Sequence, residues 1–230
     1  MTSTGNRPSK KGIVCLQGGN ELTPRCRPMD EALLSLAPDG PLVVLPLASE
    51  PGSDYGRTGE NAQRYFSEFG AQVVVPADPR RDGAEAEQAL ATAGMVVLTG
   101  GSPRRLRDAL VKTALDERVR AAHAGGAMVM GSSAGAMVVC ANTLLPQWRG
   151  NPQSGPGIAL LTGYVVVPHY DGKRGGWVRA ALAVEPTVLG IPECSGVLVE
   201  AGQLRAVGAE ASTIITAEGN TVLPLGQPLV

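Results

Sequence analysis

Short apolar runs alternate with helix-like stretches through the first two thirds of this chain, and this alternation constrains its fold most strongly. Five runs rich in apolar and β-branched residues predict strands that are buried on both faces: Ile13–Leu16, Leu42–Leu45, Gln72–Val75, Met95–Thr99 and Ala127–Met130. Helical patterns lie between strands: Glu60–Phe69, Ala84–Ala93 and Pro103–Ala122. This order predicts an α/β fold, a three-layer sandwich with a mostly parallel central sheet.

The last third of the chain predicts shorter strands, which we expect to extend this sheet and to add antiparallel edge strands. They are Gly163–Val167, Val188–Ile191, Gly196–Glu200, Gln203–Val207, Ser212–Ile215 and Thr221–Leu223. Ala201–Gly202 predicts a hairpin turn. Composition does not shift in a way that marks a linker. We therefore expect a single domain over residues 12–230, preceded by a flexible tail over residues 1–11.

Charge and composition exclude several classes of function. A net charge of −1 and an aromatic content of 3% argue against a nucleic-acid partner. No apolar run approaches the roughly 18–20 residues that span a bilayer, and no signal-like segment follows the polar start, so no membrane partner and a cytoplasmic location are expected. The four cysteines, Cys15, Cys26, Cys140 and Cys194, lack C-x-x-C spacing and predict reduced, buried thiols rather than a zinc site.

The strongest chemical signal is a strand that runs into Gly131-Ser132-Ser133-Ala134-Gly135 and then into a small-residue helix. This is the G-x-S-x-G pattern of a nucleophile elbow, in which a sharp turn lifts the central serine above the sheet. The Ala134 N–H would lie at a helix N-terminus, where a developing oxyanion is stabilised. The alternative is a tight turn whose small residues serve packing only.

A second strand end, Thr99-Gly100-Gly101-Ser102-Pro103, predicts another helix start, with Ser102 as N-cap and Pro103 as first helical residue. Gly101, or Gly100, is the candidate second oxyanion donor, because glycine lets backbone N–H groups approach a ligand. An ordinary strand-to-helix connection explains this segment equally well. We also expect Asp54–Thr58, after an earlier strand, to be a polar loop at the cleft.

A serine nucleophile requires a base, and the chain contains two histidines. His123 falls at the end of a predicted helix, ahead of the strand that leads to Ser133, and we interpret it as a surface histidine. His169 follows a strand and lies at its carboxyl edge, where chemistry gathers in parallel sheets, so it is the preferred base. Glu193, Asp171 and Glu200 are all candidates for the orienting acid. Glu193 ranks first because its strand should open at the same edge.

These residues together resemble the serine peptidase family of aspartyl dipeptidase (peptidase E) and cyanophycinase, whose fold is similar to class I glutamine amidotransferase domains. The resemblance spans roughly residues 12–207 and rests on these segments: Gln17-Gly18-Gly19, Thr99-Gly100-Gly101, Gly131–Ala136, Pro168-His169-Tyr170 and Gly190-Ile191-Pro192-Glu193. It implies a Ser133–His169–Glu193 triad, with oxyanion donors from the Gly100-Gly101 turn and Ala134.

The chain departs from this family after the glycine pair, where Asp or Asn is common and Ser102-Pro103 stand here. That turn shapes the substrate pocket of the family, so Ser102 is a candidate substrate contact. Arg104, Arg105 and Arg174 are candidates to clamp a substrate carboxylate, since the family favours acidic substrates. A solvated surface position is the alternative for each arginine.

The sequence therefore predicts a serine hydrolase that cleaves small peptides or isopeptides, with an aspartyl residue at the scissile bond, through an acyl-enzyme. No metal or organic cofactor is expected, and the expected partner is a small peptide substrate. The sequence is compatible with a homodimer. Two alternatives keep the same fold. One is a glutaminase-like amidotransferase domain, which serine at the elbow disfavours, and the other is a catalytically silent binding protein.

Overall fold

The computed structural model describes residues 11–173 and 175–226, so the candidate Arg174 and residues 1–10 of the expected tail lie outside the described residues. The strands are β1 (Val14–Gln17), β2 (Leu42–Leu45), β3 (Val73–Val74), β4 (Met95–Leu98), β5 (Met128–Ser132), β6 (Asn142–Leu145), β7 (Gln153–Pro156), β8 (Val165–Pro168), β9 (Val188–Ile191), β10 (Ser195–Glu200), β11 (Gln203–Gly208), β12 (Ser212–Ile215) and β13 (Asn220–Leu223). The helices are α1 (Arg27–Leu36), α2 (Ser53–Ser67), α3 (Ala84–Ala91), α4 (Pro103–Lys112), α5 (Leu115–Ala124), α6 (Ala134–Val138) and α7 (Gly175–Leu182), with a 3-10 turn at Pro24–Cys26 before α1. Among these described helices, none combines the length and apolar character required to cross a membrane.

The central sheet has seven strands in the order β11-β10-β1-β5-β4-β2-β3. Five of these strands, in the spatial order β1-β5-β4-β2-β3, run parallel to one another. The hairpin of β10 and β11 adds two antiparallel strands beyond β1. The predicted mostly parallel sheet with antiparallel edge strands near the C-terminus is thus confirmed.

A second sheet, with the order β13-β12-β9-β8, stands apart from the first. Within it β8 and β9 are parallel, whereas β12 pairs antiparallel with both β9 and β13. The expectation that all C-terminal strands extend the central sheet is therefore wrong for these four. The β10–β11 hairpin already occupies the edge beside β1, so β8 and β9 pair with each other, and α6 contacts both β5 and β8.

Two hydrophobic clusters on opposite faces of the central sheet make the three layers. On one face, Val14, Leu16 and the residues of neighbouring strands whose side chains point the same way pack with buried residues of α3, α4, α5 and α6 and of the second sheet. On the other face Cys15 and its equivalents pack with Met29 and Leu33 of α1 and Phe66 of α2. Alternate residues of each buried strand thus serve opposite layers, as period-2 side chains require.

The helices differ from the predictions at two places. The predicted helix Pro103–Ala122 is two helices, because Ala114 adopts φ +56° between α4 and α5. There the Thr113 hydroxyl donates to the Ala109 carbonyl at 2.7 Å. The segment Asp54–Thr58 is the first part of α2 rather than a loop, since the helix begins at Ser53. The backbone N–H of Glu50 donates to the Asp54 carboxylate and stabilises this helix start.

Candidate active site

Ser133 lies between the end of β5 and the start of α6, in a backbone conformation that residues other than glycine rarely adopt. Its φ is +46° and its ψ is −103°. Glycine is required on either side, because a Cβ at Gly131 would lie 2.5 Å from the Gly135 carbonyl carbon and one at Gly135 would lie 2.1 Å from the Leu98 carbonyl oxygen. The small residues of the pattern therefore permit the close crossing of strand and helix at this turn.

His169 lies directly after β8, where its imidazole reaches the Ser133 hydroxyl. Nε2 of His169 is 2.9 Å from Oγ of Ser133. The backbone N–H of His169 donates to the Gly18 carbonyl at 2.8 Å. The ring also lies against Gly19, since a Cβ at that position would be 2.2 Å from Cε1 of the imidazole. The loop after β1 thus fixes the orientation of the ring, and it can do so only with glycine at position 19.

Glu193 follows β9 and Pro192, and its Oε1 is 2.8 Å from Nδ1 of His169. A carboxylate only accepts hydrogen bonds, so Nδ1 donates to Glu193, and in this tautomer Nε2 is placed to accept from the Ser133 hydroxyl. Asp171 instead accepts the backbone N–H of Lys173 at 2.9 Å, in a turn directly after His169. Glu200 lies at the opposite end of β10 from Gly196, which pairs with Gln17. The structure therefore brings Ser133, His169 and Glu193 together.

The Thr99–Ser102 turn after β4 borders the same edge. Ser102 caps α4, since its Oγ accepts the Arg105 N–H at 3.3 Å. Gly101 has φ +133°, and a Cβ there would lie 2.8 Å from the Ala48 carbonyl oxygen. The Gly100 N–H already donates to Oε1 of Glu21 at 2.6 Å. Of the two glycine donors predicted for an oxyanion, Gly100 is thus engaged within the protein.

The two described candidate arginines differ in their surroundings. Arg105 donates to the Ala48 carbonyl at 2.7 Å and pairs with Glu50, so it holds the loop after β2. Arg104 is exposed, and it lines a cavity of about 550 Å³ together with Arg105, Ser102 and Arg80. None of Ser133, His169 and Glu193 lines this cavity, so Arg104 is exposed beside the Thr99–Ser102 turn without lining a pocket shared with these three residues.

The remaining histidine and the cysteines have structural positions. His123 is buried rather than on the surface, and its Nε2 lies 2.8 Å from the Gly12 carbonyl. All four cysteines are buried and free, as predicted. Burial raises the pKa of the Cys140 thiol to about 12, and the nearby Glu185 charge adds to this effect. Such a thiol is protonated near neutral pH and is a poor nucleophile.

Glu21 is the residue of this edge that sequence reasoning missed. It follows β1 by four positions, and its carboxylate contacts residues 79 and 111 positions away in the sequence. The one available signal was an acidic side chain soon after a strand of a predicted parallel sheet, at the edge where such sheets place their chemistry.

A family model described as peptidase family S51 matches residues 13–207. The chain belongs to peptidase family S51. A curated cyanophycinase from Trichormus variabilis is 30% identical to this S51 chain over 190 residues, with coverage of 76% of this chain and 62% of the cyanophycinase. The S51 chain therefore spans less than two thirds of the length of this relative.

Solved structures are similar to the S51 chain in fold. A peptidase from an acI-B1 Actinobacterium superposes with a TM-score of 0.82 at 19% identity and covers 97% of this chain and 98% of its own. A Listeria monocytogenes EGD-e protein assigned to peptidase E gives a TM-score of 0.66 at 16% identity, with coverage of 87% and 100%. At these identities the likeness is one of fold alone.

Proposed function

We propose that this S51 chain is a serine peptidase in which Ser133 is the nucleophile, His169 the general base and Glu193 the acid that orients the base. The observation that carries the proposal is the unbroken chain of hydrogen bonds, 2.9 Å from Ser133 to His169 and 2.8 Å from His169 to Glu193. This is the geometry that an activated hydroxyl requires, with nucleophile, base and orienting group each within hydrogen-bond reach.

The proposed reaction proceeds through an acyl-enzyme. Oγ of Ser133 attacks the peptide carbonyl carbon while its proton moves to Nε2 of His169. The tetrahedral intermediate collapses as the C–N bond breaks, and the same proton passes to the leaving amine. A water molecule then gives its proton to Nε2 and attacks the ester, and the acid leaves as Ser133 regains a proton.

Two backbone N–H groups are the proposed oxyanion donors. The Ala134 N–H begins α6, where a helix leaves its first N–H groups without intrahelical partners. The second is the Gly101 N–H, which no atom of the described residues accepts. The loss of one such donor costs about 10²–10³ in rate in comparable sites.

The proposed substrates are small peptides or isopeptides that contain an aspartyl residue. The similarity to cyanophycinase and the exposed Arg104 beside Ser102 both support an acidic substrate. A guanidinium can hold a carboxylate through two parallel hydrogen bonds. Hydrolysis of a panel of Asp-X, β-Asp-X and other dipeptides tests this part of the proposal, and Arg104→Ala should raise KM for the aspartyl members selectively.

Labelling with a fluorophosphonate probe tests the nucleophile. We expect the wild-type protein to be labelled, Ser133→Ala to remain unlabelled, and Ser35→Ala, which removes an exposed hydroxyl of α1, to be labelled as well as the wild type. Equal labelling of Ser133→Ala would rule out Ser133. A wild type that is neither labelled nor active on the panel would favour the catalytically silent alternative.

A further inference from the structure

The carboxylate of Glu21 joins two segments of the proposed active-site edge. Its Oε1 accepts the Gly100 N–H at 2.6 Å, and its Oε2 accepts the hydroxyl of Ser132, the residue before Ser133, at 2.7 Å. Ser132 is fully buried. A Cβ at Gly100 would lie only 2.7 Å from Oε1 of Glu21, so this contact requires glycine at position 100. A side chain from the loop after β1 thus crosses the end of β5 and reaches the end of β4.

The loop that carries Glu21 is itself held at several points. Gly18 donates its N–H to the Ser195 carbonyl, and Cys194 donates its N–H to the Gly19 carbonyl, both at 2.9 Å. The Thr23 hydroxyl donates to the Asn20 carbonyl at 2.9 Å. The first two bonds tie the loop to the segment that follows Glu193, and the third holds the loop to itself. The Glu21 carboxylate is therefore presented from a fixed loop.

The Gly100–Gly101 turn is held on both sides of the Gly101 N–H. On one side Glu21 fixes the peptide unit that carries the Gly100 N–H, and on the other the Ser102 N–H donates to the Ala48 carbonyl at 3.1 Å. Two consecutive glycines give the turn wide backbone freedom. Without the carboxylate, the peptide unit between Gly100 and Gly101 would be restrained from one side only, and its N–H could rotate away from the site.

We propose that Glu21 is a positioning residue for the reaction proposed above, whose carboxylate holds the Gly100–Gly101 turn so that the Gly101 N–H stays directed at the oxyanion. This role rests on the proposed function and adds to it. Glu21 touches neither substrate nor nucleophile in this role, and it acts through the backbone of the turn. The Ser132 hydroxyl in turn holds the second oxygen of the carboxylate.

The rate of fluorophosphonate labelling measures this role, because the phosphonyl oxygen of the adduct uses the oxyanion donors. We expect Glu21→Ala to lower the second-order labelling rate constant by up to about 10²-fold, the scale of one lost donor. Glu21→Gln should recover part of the rate, since its amide oxygen can still accept the Gly100 N–H. Ser132→Ala should cost less than tenfold, and the double variant Glu21→Ala/Ser132→Ala should be no slower than Glu21→Ala alone.

Three controls separate positioning from general damage. Glu31→Ala, on the exposed face of α1, should label at the wild-type rate. Glu21→Ala should keep the wild-type melting temperature within a few degrees. It should also keep the pH at which labelling reaches half its maximum rate, because the His169–Glu193 pair is untouched.

Each contrary result has a distinct meaning. If the wild type is labelled and Glu21→Ala is labelled at the same rate, the proposed role of Glu21 is overturned, whereas the proposed function is not. A slow Glu21→Ala with a lowered melting temperature, a shifted pH profile or no recovery in Glu21→Gln assigns it a general structural role and also overturns the proposal. A wild type that does not react overturns the proposed function, and the role of Glu21 falls with it.

Discussion

Three side-chain-bearing residues at the candidate site have left-handed backbone conformations. Ser133 has φ +46°, His169 has φ +50° and Cys194, which follows Glu193, has φ +52°. Each such residue costs roughly 1 kcal/mol or more relative to an ordinary conformation. Strain of this kind persists only where the surrounding structure imposes it. Its presence at or beside all three members of the proposed triad is consistent with a site built for reaction.

Asp30 is a buried carboxyl group behind this edge, and it makes the stability of the fold depend on pH. It is 1% exposed, and its Oδ2 accepts the Tyr65 hydroxyl at 2.7 Å. Burial raises the pKa of Asp30 from 3.8 to about 7, although the Tyr65 hydrogen bond lowers it. The folded state therefore holds a proton between about pH 4 and pH 7 that the unfolded chain has released, so stability falls as the pH rises through this range.

Asp30→Asn should remove this dependence, because the amide stays neutral at every pH. We expect the unfolding free energy of the wild type to fall relative to that of Asp30→Asn by about 1.4 kcal/mol per pH unit between pH 5 and pH 7. Above pH 7 the difference should level off, because Asp30 is then ionised in both the folded and the unfolded states. Urea unfolding of both proteins at several pH values measures it. Parallel curves for the two proteins would show that Asp30 titrates alike in both states.

Among the elements, α2 shows how two glycines of one helix can have opposite roles. A Cβ at Gly56 would meet nothing within 4 Å, whereas one at Gly59 would lie 2.6 Å from Cγ1 of Val75. Gly59 thus allows close packing of the helix against the segment after β3. Gly56 has no such contact and only weakens the helix.

Gly56→Ala should therefore stabilise the protein by about 0.5–1 kcal/mol through helix propensity. Gly59→Ala should destabilise it by about 1–3 kcal/mol through overpacking. Adding Val75→Ala to Gly59→Ala should restore part of the loss, because it removes the opposing methyl group. Thermal and urea unfolding of the set measure these shifts, and a stabilised Gly59→Ala would contradict the packing role.

The buried parallel strands β1, β2, β4 and β5 were predictable because they are largely continuous apolar runs. Helix boundaries were harder to predict for identifiable reasons. The two glycines of α2 hid its first turns, although Asp54 accepts the Glu50 N–H there. The break at Ala114 had a signal in the acidic pair Asp116 and Glu117, which suits the first turn of a new helix. Helices α1 and α7 and the β6–β7 hairpin were not predicted.

The site was predictable where it depends on local sequence and unpredictable where it depends on distant contacts. Ser133 and His169 were identified from their places after strands. Glu193 was favoured over Asp171 and Glu200, but only the pairing of β8 with β9 brings its strand beside that of His169. Glu21 reaches Gly100 and Ser132 across the sheet, and no pattern within the sequence encodes that contact.

On the scale of the whole molecule, the proposed triad is divided between two sheets. Ser133 follows β5 of the central sheet, whereas His169 and Glu193 follow β8 and β9 of the second sheet. Between these parts of the chain lies the hairpin of β6 and β7, whose turn carries Trp148, 95% exposed. The site therefore depends on how the two sheets pack, and not on a continuous chain at this turn.

Cleavage of the turn tests this division. A protease site inserted within residues 148–151 and then cut should leave a complex that keeps most of the fluorophosphonate labelling rate, because exposed loop tips tolerate nicking. After separation in urea, the fragment that contains Ser133 should not be labelled on its own, and remixing the fragments should restore labelling. A separated Ser133 fragment that still reacts would contradict the dependence on the second sheet.

The order of these parts along the chain has a consequence during synthesis. A ribosome releases Ser133 well before it releases His169 and Glu193, and β10, which pairs with β1 in the central sheet, emerges later still. In the proposed triad, the Ser133 hydroxyl of a nascent chain therefore lacks its base and its orienting acid until His169 and Glu193 have been synthesised and folded. A peptidase activity that uses this proposed triad cannot precede the synthesis of Glu193 and the pairing of β8 with β9.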